Sequence, residues 1–136
     1  MGYTFAELTL RNALDGWESE GEFNEEPKNH RKTVQALVDT GAHWLVISEE
    51  LRRELGLKII DEKRVSLADN TKIICPRTGL VEIHWKDRCA IQSALVVPDR
   101  PNVLLGVYPL EEMDLIVDPV RQELIGAHGD EWVMYI

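Results

Sequence analysis

The stretch ALVDTGAHWLVI, residues 36–47, sets one carboxylate, Asp39, between two apolar runs. Ala36, Leu37 and Val38 read as the buried end of a strand, and Trp44 to Ile47 as a second short run of the fully buried kind. Between them Asp39-Thr40-Gly41-Ala42 reads as a turn, because Asp hydrogen-bonds nearby backbone and Gly tolerates conformations that other residues avoid. On its own the triplet suits any turn between two core strands. Its chemical meaning depends on what the rest of the chain supplies.

Working outward, most segments read as strand. YTFAELTL (3–10) alternates and is rich in strand formers. A polar excursion follows, placed as a loop insertion over 18–32, with five glutamates from Glu18 to Glu26 and then Pro27. TVQALVD delivers Asp39. SEELRRELGL is a helix: Ser48 suits the N-cap, Glu49 and Glu50 favour the positive end of its dipole, and Gly56 suits the position past its end. KRVSLADNTKIICP is a hairpin with Asp69-Asn70 as its turn. LVEIHW alternates, CAIQSALVV is a further strand, and NVLLG is a short apolar one. YPLEEM fits one helical turn with Pro109 at its first helical position. DLIVD and QELIGA form a last hairpin, and the tail EWVMYI is apolar. Many short strands with little helix indicate an all-β fold, a small barrel or sandwich.

At 136 residues one domain is expected over 1–136, with a single core. The formal net charge of −9 argues against nucleic acid and against anionic membrane surfaces. No 18-residue apolar run occurs, and the start MGYTFAELTLRNA lacks a basic region followed by an apolar one, so neither a membrane span nor a signal peptide is expected. Cys75 and Cys89 lie in separate strand segments and read as reduced thiols of a cytoplasmic protein. The four histidines, His30, His43, His84 and His128, are scattered without metal-ligand spacing, so no metal and no cofactor is expected.

The order of parts resembles the retroviral-type, or retropepsin-like, aspartic protease family. ALVDTGA (36–42) is similar to its catalytic motif, RVSLADNTKIIC (64–75) to its flap hairpin, and NVLLGVYPL (102–110) to its second motif. The resemblance spans roughly residues 32–118 and implies a small closed β-barrel with one or two short helices. It implies that Asp39 is the catalytic carboxylate of an endopeptidase acting on peptide or protein. Thr40 would brace the partner loop, Gly41 would let substrate approach the backbone, and Ala42 would form a small floor. Leu104, Leu105 and Gly106 would pack beneath the active-site loop. Ala68, Asp69, Asn70 and Thr71 would form the flap tip, with His43 and Trp44 beside the substrate.

The resemblance also implies a homodimer. The chain has one Asp-Thr-Gly, whereas such a protease needs two carboxylates about one water apart. The second Asp39 must therefore come from an identical subunit. Residues 130–136 would supply a C-terminal strand to the dimer interface, the alternative being pairing with 3–10 inside the protomer. Two features depart from retroviral members. His43, Trp44 and Val107 stand where an acid and an arginine usually pair, and the flap lacks paired glycines. The flap instead resembles that of cellular and bacterial relatives. These departures favour the rival reading, a non-catalytic peptide-binding or assembly module with the same barrel.

Overall fold

The computed structural model describes residues 3–18, 30–98 and 102–136. Its strands are β1 (Phe5–Asn12), β2 (Arg31–Val38), β3 (Leu45–Ile47), β4 (Ile59–Ser66), β5 (Lys72–Trp85), β6 (Arg88–Val96), β7 (Val103–Leu105), β8 (Leu115–Asp118) and β9 (Glu123–Gly126). Helices α1 (Ala13–Glu18), α2 (Glu49–Glu54) and α3 (Val107–Glu112) are short. The main sheet runs β1-β2-β7-β3-β6-β5-β4, and β1 pairs with β5 as well. That last pairing closes six strands into a barrel and leaves β4 outside it, held only by β5. The all-β barrel expected from the sequence is the fold.

Alternation decides which side chains fill the barrel. In β1 Ala6, Leu8 and Leu10 point inward, and in β5 Val81, Ile83 and Trp85 do so. They meet Ala36, Leu45, Ile47, Leu105 and the buried faces of the short helices in one continuous core. A smaller cluster, Val46, Cys75, Val97 and Leu104, lies under the flap side of the barrel. Helix α2 starts as its sequence indicates, with the Ser48 hydroxyl accepting the Leu51 amide at 3.1 Å. It stops where Gly56 takes a φ of 63°.

Three local features differ from the sequence reading. A short helix, α1, leads into the excursion, its first turn held by the Asn12 side chain accepting the Leu14 amide. At the other end of the excursion Arg31 and Lys32 already belong to β2, because they pair with Arg11 and Leu10. The intervening residues 19–29 lie outside the described ones. LVEIHW is not a separate strand either: β5 runs unbroken through Pro76 and Gly79, with a register shift between Arg77 and Leu80. Fully buried Thr78 holds that bend, its hydroxyl accepting the Ala94 amide at 3.0 Å.

Within the protomer the tail does not pair with residues 3–10. After a lone bridge between His128 and Glu131, the tail is pinned by side chains. The Trp132 indole donates to the Glu112 carbonyl at 3.0 Å, and the Val133 amide donates to Asp114 at 3.1 Å.

Candidate active site

Asp39 is the residue immediately after β2. Its neighbour in the sheet is β7, which runs parallel with Leu105 opposite Val38. The Asp39 amide donates to the Leu105 carbonyl at 3.0 Å, so the apolar second motif anchors the strand end that carries the carboxylate. The Ala42 amide then donates to the Asp39 carbonyl at 3.1 Å, turning the chain. The Gly41 amide donates to Asp39 Oδ1 at 2.9 Å. One carboxylate oxygen is thereby oriented by backbone, and Oδ2 has no protein donor among the described residues.

The second motif supports this loop through close backbone contact. A Cβ on Gly106 would stand 2.5 Å from the Trp44 carbonyl oxygen and 2.6 Å from the His43 carbonyl carbon. Only a glycine lets the two chains meet there. Beyond it, the first amides of α3, which no helix can satisfy internally, donate into the loop. Val107 donates to the Ala42 carbonyl and Tyr108 to the His43 carbonyl, each at 2.9 Å. Pro109, the third helical residue, has no amide and needs no partner at that position. The Tyr108 ring packs against His43 and Trp44, with centroids 5.4 and 5.9 Å apart.

Strands β4 and β5 project as a hairpin over this floor. Its three-residue loop, Ala68-Asp69-Asn70, is closed by the Leu67 amide donating to the Thr71 carbonyl at 2.8 Å. Asn70 takes a φ of 67°, a left-handed position that Asn tolerates better than most residues. The Thr71 amide and hydroxyl hold the Asp69 carboxyl below its ordinary value. Floor and hairpin enclose an open cleft of about 620 Å³.

The cleft brings together Asp39, Gly41, Ala42, His43, Trp44, Ala68 and Leu104. It does not include Thr40, Asp69, Asn70 or Thr71, all of them exposed, and Leu105 and Gly106 lie buried behind the loop. Lining residues that the sequence reading passed over are Lys63, Arg64, Val65 and Ser66 of β4, and Leu95 and Val97 at the end of β6. The β4 residues carried a signal, since a hairpin over a catalytic turn presents an arm as well as a tip. The β6 residues carried none, because their approach to Asp39 depends on closure of the barrel. Among the described residues Asp39 is the only acid lining the cleft, and Lys63 and Arg64 give its flap side a positive rim.

A half-buried carboxylate with one oriented oxygen, set at the floor of an open cleft, can accept a proton from water. Among the described residues the cleft supplies no second acid to polarise a carbonyl.

Comparison with known proteins adds to this geometry. A family model described as aspartyl protease matches residues 20–108, more than half of the chain. The chain is also 32% identical over 83 residues to "Uncharacterized protein 7" of soybean chlorotic mottle virus. That alignment covers 60% of this chain and 56% of the viral protein. The matched region contains the turn at Asp39, the flap hairpin and the glycine that supports them, and the chain belongs to the aspartyl protease family.

Proposed function

We propose that the protein is an aspartic endopeptidase that hydrolyses peptide bonds as a homodimer. The observation that carries this reading is Asp39 itself: a single carboxylate, oriented by the Gly41 amide, at the floor of a cleft roofed by a hairpin. Two copies facing each other across a two-fold axis would put their Asp39 groups on either side of one water. Both cannot be ionised there without strong repulsion, so the pair holds one proton. The aspartic proteases are themselves the standard example of that effect.

The ionised member takes a proton from the water, and the protonated member donates to the scissile carbonyl. The resulting tetrahedral diol collapses with the nitrogen protonated, and no covalent bond to the enzyme forms. Because the pair titrates as a unit, rate against pH is bell-shaped. The substrate is an extended peptide or a loosely folded protein, gripped between the apolar floor and the flap. The exposed aromatic and apolar side chains of Tyr3, Tyr135 and Ile136 give a second copy of the chain surface to cover.

A reducing compartment such as the cytoplasm suits two free cysteines, Cys75 and Cys89. No helix among the described residues is long and apolar enough to cross a membrane. Within the family, the flap stretch Leu67-Ala68-Asp69 favours the cellular and bacterial branch, whereas the plant-virus relative weighs against it.

The test is peptide cleavage at mildly acid pH by wild type and Asp39→Asn, with sedimentation of both. Wild type is expected to cut and to sediment as a dimer, and Asp39→Asn to dimerise and bind peptide without cutting. If both variants bind and neither cuts, the protein is a peptide-binding module on the same barrel. A wild type that stays monomeric and inert at micromolar concentration removes the enzymatic reading.

A further inference from the structure

Two residues that the sequence keeps apart are brought together by the β5–β6 hairpin. Its register places His84 directly opposite Cys89, and Glu82 opposite Ile91. Strand alternation sends Val81, Ile83 and Trp85 into the core, so Glu82 and His84 project from the outer wall on the same side. In β6 Arg88 and Ala90 point inward, which turns Cys89 outward to meet them. The His84 Nε2 lies 2.9 Å from Glu82 Oε1 and 3.8 Å from Cys89 Sγ. All three donor atoms fall within 4.8 Å of one another.

We propose that Glu82, His84 and Cys89 form a binding site for a divalent metal ion of zinc-like preference, on the barrel wall away from the Asp39 cleft. One carboxylate, one imidazole and one thiolate make up a donor set suited to zinc or cobalt and poorly suited to calcium or magnesium. Metal–ligand bonds of about 2.0–2.3 Å set tetrahedral donors about 3.3–3.7 Å apart. The observed spacings bracket that range, so small side-chain rotations bring the three donors onto one ion. With three protein ligands, the fourth position is open to water or a small anion.

The surroundings favour a cation. Glu82 and Glu112 place two negative charges near the Cys89 sulfur. The thiol also lies 3.7 Å from the Ala90 carbonyl. Metal binding would release the thiol proton to solvent and form the sulfur–metal bond in its place. Glu112 itself is engaged by the Ile91 amide and the Gln92 side chain, and so acts as a fixed negative neighbour. Among the described residues the one cation paired with the site is Arg11, at a loose 3.9 Å from Glu82 Oε1. The hairpin ends in a two-residue turn where Lys86 takes a φ of 51°.

Cobalt(II) titrated into the full-length, metal-stripped protein tests this directly, because thiolate ligation gives a near-ultraviolet charge-transfer band. One ion per chain is expected to bind with that band, and zinc is expected to displace it. Cys89→Ser is expected to abolish the band, and Cys89→Ser and His84→Ala each to weaken zinc binding at least about tenfold. Cys75→Ser leaves the band intact. Zinc is expected to raise the thermal midpoint of wild type and to leave that of Cys89→Ser unchanged, and midpoints without metal check that each variant is folded. Absence of the band in wild type overturns the proposal. So does a band that survives Cys89→Ser, one that disappears with Cys75→Ser, or zinc affinity unaffected by His84→Ala.

Discussion

At Gly106 a hydrogen atom occupies the place where any side chain would strike the backbone of residues 43 and 44. The neighbour is backbone that also carries the turn at Asp39, so it cannot yield without moving the site. Gly106→Ala is therefore expected to lower stability by about 1–3 kcal/mol, the ordinary cost of overpacking. A thermal midpoint lowered by several degrees would register it, with peptide binding weakened in the same variant as His43 and Trp44 shift. Arg88 makes a different single-residue contribution. Buried at 3% exposure, it donates to the carbonyls of Met113, Asp114, Gly129 and Glu131 at 2.8–3.1 Å. Nothing in the sequence marks it as more than one charge in a hairpin, because its four acceptors come from residues far along the chain. Asp39 is the opposite case. The apolar run before it, the glycine after it and the later Leu-Leu-Gly are all local patterns. The position of the carboxylate at a strand end beside β7 could be read from them.

The elements show why local patterns reach only so far. The short apolar strands and α2 were legible from periodicity and capping. β5 was not, since Pro76 and Gly79 both suggest a break. Pro76 faces Glu62 in the ladder, and the bend is absorbed at Thr78 and Gly79, so the strand continues from flap into barrel wall. The meeting of His84 and Cys89 was equally hidden, because it depends on hairpin register. The tail was read by its apolarity, whereas its path is set by hydrogen bonds.

Asp114 is central to that path. It accepts the Val133 amide and lies 2.7 Å from His128 Nδ1, and Tyr135 lies 2.8 Å from the other nitrogen of that ring. The His128 bond first, then the Val133 amide, holds the Asp114 carboxyl below its ordinary value of 3.8. A carboxyl depressed in the folded protein contributes stability above its unfolded value, and that contribution is lost as pH falls through the depressed value. The Trp132 indole resonance, which reports the docked tail, is thus expected to hold steady from neutral pH through the ordinary carboxylate range. It should move only under more acid conditions. In Asp114→Asn the same resonance should already lie at the released position at neutral pH.

For the molecule as a whole, the decisive quantity is how many carboxylates one cleft contains. On the proposed reading, one Asp39 per chain means that a working site is shared between two copies, and an inactive copy would silence its partner. Adding an excess of Asp39→Asn to a fixed amount of wild type is expected to drive peptide cleavage toward zero, as mixed dimers carry a single acid. A protease working as a monomer would keep its full rate in that mixture, so the dilution curve separates the two without any assumption about how the copies pack.

Closure of the barrel through β1 and β5 leaves β4 as the strand of the main sheet with an edge unpaired among the described residues. Such an edge is an open template on which further chains can stack into fibrils. Asp61, Glu62, Lys63 and Arg64 run consecutively along it. Each added chain of the same sequence in register would have to set like charges side by side. The arm that roofs the cleft is in this way also the molecule's guard against polymerising through its own flap.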